Sequence, residues 1–310
     1  MLPARVEITE VGTRDGLQAE PQFVPTARKI AFIEGFIAAG LTRIEATSFV
    51  SPRAVPQLAD ASEVVAGVRG RAAVIAALVP NARGAERAIA AGVDEMMVFI
   101  SASESHSRTN LNTDIAGALR AVGPVAELAG TSHTRLRGAI AVAFGCPYEG
   151  DVAPARVVEV ARALADIGIT SLTLGDTTGM ASPRQVEAVV AALRRSCPDT
   201  DLALHFHNTR GLGLVNVMAG LNLGITRFES SIAGLGGCPF ATGATGNVCT
   251  EDLVYLMAEL GIDTGIDLAA LTEVAREVER ALGRTLPGQI MRAGPRWALH
   301  PLNSARRALG

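Results

Sequence analysis

The chain has 310 residues, of which 48% are hydrophobic and 19% charged, with a net charge of −3 and a pI near 6.0. Its length suits one α/β barrel of about 250 residues with an appendage, and it can bury a large core. The acidic balance and the lack of a Lys/Arg block argue against nucleic-acid binding. No uncharged apolar run reaches the roughly 18 residues of a membrane span. We therefore expect neither nucleic acid nor membrane as a partner.

The cysteines and the first residues indicate the compartment. Cys146, Cys197, Cys238 and Cys249 are spaced irregularly and form no CxxC motif. This usage is typical of reduced thiols inside a cell. The first ten residues, MLPARVEITE, lead directly into a strand pattern and do not resemble a signal peptide. We expect a cytoplasmic protein.

Short apolar runs alternate with amphipathic helical patterns along the chain. The runs predict strands near residues 5–11, 43–49, 72–79, 95–101, 135–144, 171–175, 202–207 and 227–232. Helices are predicted at 26–39, 56–68, 82–91, 113–129, 153–166, 183–196, 212–223, 255–260 and 268–282. Glycines such as Gly40, Gly92 and Gly168 follow several of these helices and suit C-caps.

Eight strand–helix units in succession predict an α/β fold, a (β/α)8 TIM barrel over residues 1–285. A doubly wound sheet is the competing fold, but the chain has no dinucleotide-binding fingerprint. The barrel is expected to carry a short C-terminal helical extension, and residues 286–310 are expected to form a tail that packs on the barrel or at a dimer interface. The active site of such a barrel lies at the carboxyl ends of its strands.

The first two strands end in charged residues. Glu10 lies just inside the first strand, and Arg14 and Asp15 follow it in VGTRDGLQ. Adjacent opposite charges often form a surface ion pair, but at the rim of an apolar barrel they fit a functional site equally well. Glu45, inside the second strand, needs a buried partner, and Arg14 is a candidate across the barrel.

Polar residues also follow the fourth and sixth strands. Residues 101–112 are expected to form mainly a solvated loop that caps the next helix, with Arg108 and Asn110 as candidate contacts to a ligand phosphate or amide. Asp176, after the sixth strand, either caps the following helix or serves as a carboxylate at the rim. The sequence supports both roles for it.

The seventh strand contains two histidines, His205 and His207, in LHFHN. Residues two apart on a strand point to the same side, so both imidazoles face the mouth of the barrel. A single histidine on a strand is usually a packed core residue, whereas this pair favours a metal site. With oxygens from Asp15 and Asn247, the ligand set suits Mg²⁺ or Mn²⁺ better than zinc.

Residues 231–251, SIAGLGGCPFATGATGNVCTE, contain five glycines. This density argues against a helix or an interior strand and lets the backbone turn sharply near a ligand. Such a stretch is often only a flexible surface loop. Cys238 and Asn247 nevertheless place two chemically useful side chains in it.

Six motifs resemble, in order, those of the 3-hydroxy-3-methylglutaryl-CoA lyase family: VGTRDGLQ, EATSFVSP, GCPYEG, LGDTTG, LHFHNTRG and SIAGLGGCPFATGATGNVCTEDLVY. The resemblance covers residues 4–290. Its Arg-Asp and His-x-His elements are shared with related metal-dependent synthases and aldolases, whereas the cysteine loop is much more specific. The resemblance implies a retro-Claisen cleavage of the acyl-CoA to acetyl-CoA and acetoacetate.

The resemblance also implies roles for individual residues. The implied metal ligands are Asp15, His205, His207 and Asn247. The metal would polarise the C3 hydroxyl of the substrate, and either His205 or Asp176 would remove its proton. Arg14 would stabilise the negative charge that develops on the thioester oxygen.

Further roles concern the supporting carboxylates and the loop. Glu10 and Glu45 would hold Arg14 and the metal site in register, and Glu45 is also a candidate for proton transfer. Cys238 would protonate the acetyl-CoA carbanion, since a thiol with a pKa near 8.5 is a suitable acid for it. Glu251 would relay protons or support the loop.

The chain departs from the family pattern at some positions. Thr13 replaces an expected Pro, Glu229 replaces a common Asp, and Ala139 stands where several members carry a Tyr that lines the substrate pocket. The smaller side chain of Ala139 predicts a larger pocket, which would accept a bulkier substrate such as the isohexenyl analogue.

Two other functions share the metal site. A condensing synthase or pyruvate-type aldolase of the same superfamily would generally lack the Gly-Gly-Cys-Pro loop. A non-catalytic metal-binding barrel would not need the complete set of reactive residues. We therefore expect a lyase that acts on an acyl-CoA, and we expect it to form a homodimer.

Overall fold

The computed structural model describes residues 1–237 and 245–299. Eight parallel strands pair in sequence order, and β1 closes the barrel against β8. The strands are β1 (Glu7–Glu10), β2 (Arg43–Ser48), β3 (Val74–Leu78), β4 (Glu95–Ser101), β5 (Arg135–Ala141), β6 (Ser171–Asp176), β7 (Asp201–Phe206) and β8 (Arg227–Ser230). The predicted (β/α)8 barrel is confirmed, and the doubly wound sheet is wrong.

The helices surround this barrel. They are α1 (Thr26–Ala38), α2 (Ala61–Val68), α3 (Ala82–Ala91), α4 (Glu104–Leu111), α5 (Ile115–Ser132), α6 (Pro154–Asp166), α7 (Pro183–Ser196), α8 (Gly213–Asn222), α9 (Thr250–Glu259), α10 (Leu268–Leu282) and α11 (Ile290–Ala293). Local chemistry sets several ends. A capping box of Ser182 and Gln185 begins α7, and Gly92, with φ of 87°, ends α3.

The structure differs from the predicted elements in several places. Residues 104–111 form helix α4 and not a loop, because Ser103 Oγ accepts the N–H of His106 at the helix start. Strand β5 ends before residue 142, because Val142 has a φ of 51° that breaks the extended backbone. Helix α9 begins at Thr250, so Glu251 lies in its first turn.

Side-chain alternation on β5 decides which residues face the barrel interior. A Cβ on Gly138 would lie 2.9 Å from Leu172 and 3.3 Å from Leu164 of α6, so residue 138 faces the helical layer. Arg137 and Ala139 on either side therefore point into the barrel.

The segment after α10 packs against α9. Asp252 of α9 accepts the N–H groups of Gln289 at 3.1 Å and Ile290 at 2.8 Å, and Leu286 is buried. These bonds attach α11 to the root of the glycine-rich stretch. Within the two described ranges, no helix has the length and apolar character needed to cross a membrane.

Candidate active site

A single turn of π-helix after β1 positions two charged residues at the carboxyl end of the barrel. The carbonyl of Val11 accepts the N–H groups of Arg14 at 3.1 Å and Asp15 at 2.7 Å. Arg14 Nη1 donates to Asp15 Oδ1 at 2.7 Å, and Nη2 donates to Glu45 Oε2 at 2.9 Å. The predicted pairing of Glu45 with Arg14 across the barrel is confirmed.

This cluster keeps the guanidinium charged. Burial alone would lower the pKa of Arg14, but the carboxylates of Glu45 and Asp15 raise it above its ordinary value. Burial raises the pKa of Glu45, and the charge of Arg14 opposes that shift. Arg14 uses two of its N–H donors in these contacts, and its Nε has no partner among the described residues. The remaining donors can bind a ligand oxygen.

His205 of β7 and His207, which directly follows the strand, both face Asp15. The Nε2 atoms of His205 and His207 each lie 3.9 Å from Asp15 Oδ2. One ligand atom from each of the three residues lies within 4.8 Å of the others, and both imidazoles are buried. The i, i+2 spacing on the strand thus places the two rings together, as predicted.

Asn247 lies beside the same group. It forms an isolated β-bridge with His207, and its Nδ2 donates to Asp15 Oδ2 at 2.8 Å and to the carbonyl of Leu235 at 2.9 Å. Its Oδ1 is buried and has no partner among the described residues. A buried polar atom without a partner costs about 1–3 kcal/mol, so this oxygen is well suited to a bound cation.

The electrostatics of the three residues fit a cation. Burial would raise the pKa of Asp15, but Arg14 and His205 hold it well below its usual range, so the carboxylate is charged. Burial and the neighbouring His205 lower the pKa of His207 to about 4, which leaves a neutral imidazole near pH 7. A charged carboxylate beside imidazole nitrogens and an amide oxygen matches the ligands of divalent metals.

Asp176 is almost fully buried at the end of β6. Its Oδ1 accepts the N–H groups of Met180 at 2.7 Å and Ala181 at 2.9 Å, while its Oδ2 is buried without a partner among the described residues. Burial raises its pKa to about 7, against the effect of these hydrogen bonds. Because Ser182 caps α7, the alternative role of Asp176 as the helix cap is wrong.

Two predicted support residues, Glu10 and Glu251, bond to the root of the glycine-rich stretch. Glu10 accepts hydrogen bonds from Gly12 N, Ile232 N and Thr250 Oγ1 at 2.7, 2.8 and 2.6 Å. These bonds join β1 and the turn that carries Arg14 to the root of the glycine-rich stretch, and the role of Glu10 in keeping Arg14 and the metal site in register stays a prediction. Glu251 Oε2 accepts the N–H of Ala233 at 3.0 Å, which is consistent with support of that root.

The structure does not test the roles predicted for three residues. Cys238 lies outside the described residues. Arg108 and Asn110 are exposed on α4, so the structure gives them no place around Asp15. Their suggested contact with a ligand stays a prediction.

Two residues at the site were not predicted to act there. Gln18 Nε2 donates to Asp15 Oδ1 at 2.9 Å, and Glu229 Oε2 lies 3.2 Å from His205 Nδ1. Glu229 could have been found from its position, because a carboxylate within a barrel strand must have a buried partner. Gln18 had no comparable indication.

Comparisons with known proteins find a matching family model and similar chains. The family model HMGL-like matches residues 5–278. The chain is 44% identical over 288 residues to the hydroxymethylglutaryl-CoA lyase of Bacillus subtilis, covering 93% of this chain and 96% of that protein. It is 46% identical over 285 residues to a 3-hydroxy-3-isohexenylglutaryl-CoA/hydroxy-methylglutaryl-CoA lyase of Pseudomonas aeruginosa, covering 92% and 95%. A solved HMG-CoA lyase of Acinetobacter baumannii, in complex with coenzyme A and 3-methylmalate, matches with a TM-score of 0.91 at 43% identity, covering 96% and 98%.

Proposed function

The chain belongs to the HMGL-like family of carbon–carbon lyases, and we propose that it cleaves 3-hydroxy-3-methylglutaryl-CoA to acetyl-CoA and acetoacetate. The observation that carries this proposal is the buried group of Asp15, His205 and His207, next to the Arg14–Glu45 pair at the carboxyl end of the barrel. Relatives of 44% and 46% identity across nearly the whole chain are named for this reaction.

A divalent cation, Mg²⁺ or Mn²⁺, is part of the proposal. The atoms that would hold it are Asp15 Oδ2, the Nε2 atoms of His205 and His207, and Asn247 Oδ1. When bound, such an ion polarises the C3 hydroxyl and lowers its pKa. The absence of thiolate from this set favours a hard cation over zinc.

Asp176 is the base we propose for the C3 hydroxyl. Its Oδ2 is buried and without a partner among the described residues, and its pKa of about 7 is close to the working pH of a cell. The alternative base, His205, has its Nδ1 next to Glu229 and its Nε2 directed at Asp15. Because Nδ1 faces Glu229 and Nε2 would hold the cation, His205 is less suited than Asp176 to accept the substrate proton.

Arg14 is the residue we propose to bind the thioester oxygen. As the C2–C3 bond breaks, its electron pair moves into the thioester, C3 becomes a ketone, and the oxygen gains negative charge. The guanidinium is held by Asp15 and Glu45 before substrate arrives, so no reorganisation is needed at that moment. Glu45 acts through Arg14 and is a positioning residue.

Cys238 is the proposed acid that returns a proton to C2 and completes acetyl-CoA. Its place in the sequence carries this role, supported by bonds that tie the two roots of its loop together. Ser231 N donates to the carbonyl of Val248 at 3.0 Å, and Thr250 N donates to that of Ser231 at 3.1 Å. Glu251, whose pKa burial raises to about 7, lies at the same root and is suited to relay the proton.

A bulkier substrate is a second candidate. Ala139 faces the barrel interior and is only partly buried, and the relative from Pseudomonas aeruginosa is named for both the isohexenyl and the methyl substrate. An Ala139→Tyr variant should lose more kcat/KM for the isohexenyl than for the methyl substrate. Equal losses for both would remove Ala139 from substrate selection.

The remaining proposals concern the coenzyme A contacts, the domain bounds, the compartment and the oligomeric state. Arg108 and Asn110 of α4 are exposed and able to meet the nucleotide part of coenzyme A. We place the barrel domain at residues 1–285 and the tail at 286–310, and propose a cytoplasmic homodimer. Cys146, Cys197 and Cys249 are free thiols, as that compartment requires.

One assay tests the main proposal. Metal-free protein is supplied with Mn²⁺ or Mg²⁺ and the methyl substrate, and acetyl-CoA release is measured. The His207→Ala variant should lose both Mn²⁺ binding and turnover, whereas Cys238→Ala should lose turnover alone. Full activity of Cys238→Ala would show that another group is the acid, and no acetyl-CoA from the wild-type protein would refute the lyase.

A further inference from the structure

Glu229 of β8 contacts a proposed metal ligand from inside the barrel. Its Oε2 lies 3.2 Å from His205 Nδ1, while His205 Nε2 points to Asp15 Oδ2 on the other side of the ring. Only 4% of Glu229 is exposed, so no solvent competes for this contact. The ring nitrogen that faces Glu229 is therefore the one that would not bind the cation.

The hydrogen bonds behind Glu229 have a fixed direction. Arg137 Nη2 donates to Thr173 Oγ1 at 2.9 Å, and a guanidinium has no acceptor atom. Thr173 must then use its single proton toward Glu229 Oε1, which lies 2.7 Å away. Glu229 accepts this bond, and Arg137 Nη2 lies 3.6 Å from the same oxygen. A carboxylate held in this way accepts at Oε2 as well, so the proton of His205 belongs on Nδ1.

Arg137 is itself held from the amino end of the barrel. Its Nη1 lies 3.6 Å from Glu95 Oε1, and Arg43 Nη1 donates to both oxygens of Glu95 at 2.8 Å. Arg43, Glu95, Arg137 and Glu229 thus form a row of alternating charges through the barrel interior. We call this row the interior charge row.

The two histidines of the site differ in whether a carboxylate contacts the Nδ1 atom of the ring. His207 Nδ1 is buried and has no hydrogen-bond partner among the described residues, although its Nε2 lies at the same 3.9 Å from Asp15 as that of His205. Only His205 therefore has a carboxylate that fixes its ring orientation and its tautomer. Such carboxylate partners of metal-binding histidines typically contribute about 10- to 100-fold to metal affinity.

We propose that Glu229, held by Thr173 and Arg137 of the interior charge row, is a positioning residue that fixes the Nδ1–H tautomer of His205 and leaves Nε2 free for a divalent cation. This inference rests on the proposed function to the extent that His205 is a metal ligand. It assigns a role at the metal site to Glu229, Thr173 and Arg137, which would otherwise be only buried polar residues of the barrel interior.

The test uses two measurements on the whole protein. Mn²⁺ affinity of the metal-free protein is measured by calorimetry for wild type, Glu229→Gln and Thr173→Val. We expect Glu229→Gln to bind Mn²⁺ about 10- to 100-fold more weakly and Thr173→Val to show a smaller loss. The ¹⁵N shifts of labelled histidine in the metal-free protein, recorded at a pH where the His205 ring is neutral, then report its tautomer, which should be Nδ1–H in wild type and mixed in Glu229→Gln.

A matched control separates positioning from stability. Lys29 and Asp60 form a buried ion pair of 2.6 Å on α1 and its neighbouring turn, which contacts none of the proposed ligands. Asp60→Asn should lower stability and leave Mn²⁺ affinity and the His205 tautomer unchanged. Unchanged Mn²⁺ affinity in Glu229→Gln, or an Nε2–H tautomer in the wild type, would overturn the inference. Failure of the wild type to bind Mn²⁺ would instead refute the metal site of the proposed function.

Discussion

Arg14 spans from the turn after β1 to β2, where its Nη2 donates to Glu45 Oε2 at 2.9 Å. Both side chains are buried, and the remaining oxygen of Glu45 has no partner among the described residues. The pair therefore holds the positively charged guanidinium of Arg14 at the carboxyl end of the barrel. Arg14 Nε and Glu45 Oε1 remain without partners among the described residues and can bind a ligand. Removing either partner leaves the other as an incompletely paired buried charge.

Glu45→Ala should lower the free energy of unfolding by about 3 kcal/mol, because breaking a buried pair leaves the charge of Arg14 without its second carboxylate. Urea unfolding measures this loss. Glu159→Ala is the control, since the Arg156–Glu159 pair is exposed and its loss should change stability by less than about 0.5 kcal/mol. Equal effects of the two variants would contradict a structural role for the Arg14–Glu45 pair.

Asp176→Asn should lower kcat about 10²- to 10⁴-fold, because an amide cannot accept the hydroxyl proton. In the wild type, the base is active when ionised, so kcat/KM should fall as the pH drops below the pKa of about 7. Asp166→Asn, at an exposed position of α6, should keep full activity. A rate that stays constant between pH 6 and pH 8 would argue for a different base.

Glu10→Gln should change how stability depends on pH. Burial raises the pKa of Glu10 from 4.5 to about 8, against its three hydrogen bonds, so the folded state binds this proton more tightly than the unfolded state. The stabilisation is fully present below pH 4.5 and is lost as the pH rises toward 8, by up to about 1.4 kcal/mol per pH unit. Urea unfolding between pH 5 and pH 9 should show a steeper decline in wild type than in Glu10→Gln. Parallel plots of unfolding free energy against pH for the two proteins would contradict the raised pKa of Glu10.

Gly288→Ala should destabilise the protein by about 1–3 kcal/mol and lower turnover. Its Cβ would lie 2.6 Å from Glu251 Oε1 and 3.2 Å from Cys249 Sγ, at the root of the loop that carries Cys238. Gly123→Ala in α5 is the matched control, because its Cβ would meet nothing within 4 Å. That variant should be up to about 1 kcal/mol more stable, with unchanged kcat. Thermal unfolding measures the change in stability, and acetyl-CoA release measures turnover. Full activity of Gly288→Ala would show that the packing around Gly288 is not needed for the reaction.

Much of the fold could be predicted because its determinants are local. The short apolar runs predicted all eight strands, and glycines such as Gly92 after α3 marked the ends of several helices. The proximity of His205 and His207 could be predicted for the same reason, since residues two apart on an extended chain share a side. Helix α4 was missed because its cap, Ser103, lies in a polar stretch with little apolar periodicity.

The parts of the site that could not be predicted depend on side-chain direction across the closed barrel. The sequence indicated that Glu45 needs a partner and named Arg14 for it, but it named no partner for Glu10. Glu10 bonds to groups 222 and 240 positions away, and no local pattern connects them. The choice between Asp176 and His205 as base likewise depends on which of their atoms are already engaged.

The bond between Asn247 and Asp15 joins residues 232 positions apart, across the seam where the last strand meets the first. Its length along the chain has a consequence for biosynthesis. In a growing polypeptide, Asp15 is made first and Asn247 follows 232 positions later, after both histidines, so the proposed cation site can be complete only once all eight strands have been made. Binding of the cation would then require that the barrel has closed. Detachment of β1 or β8 would release the cation before the remaining strands unfold.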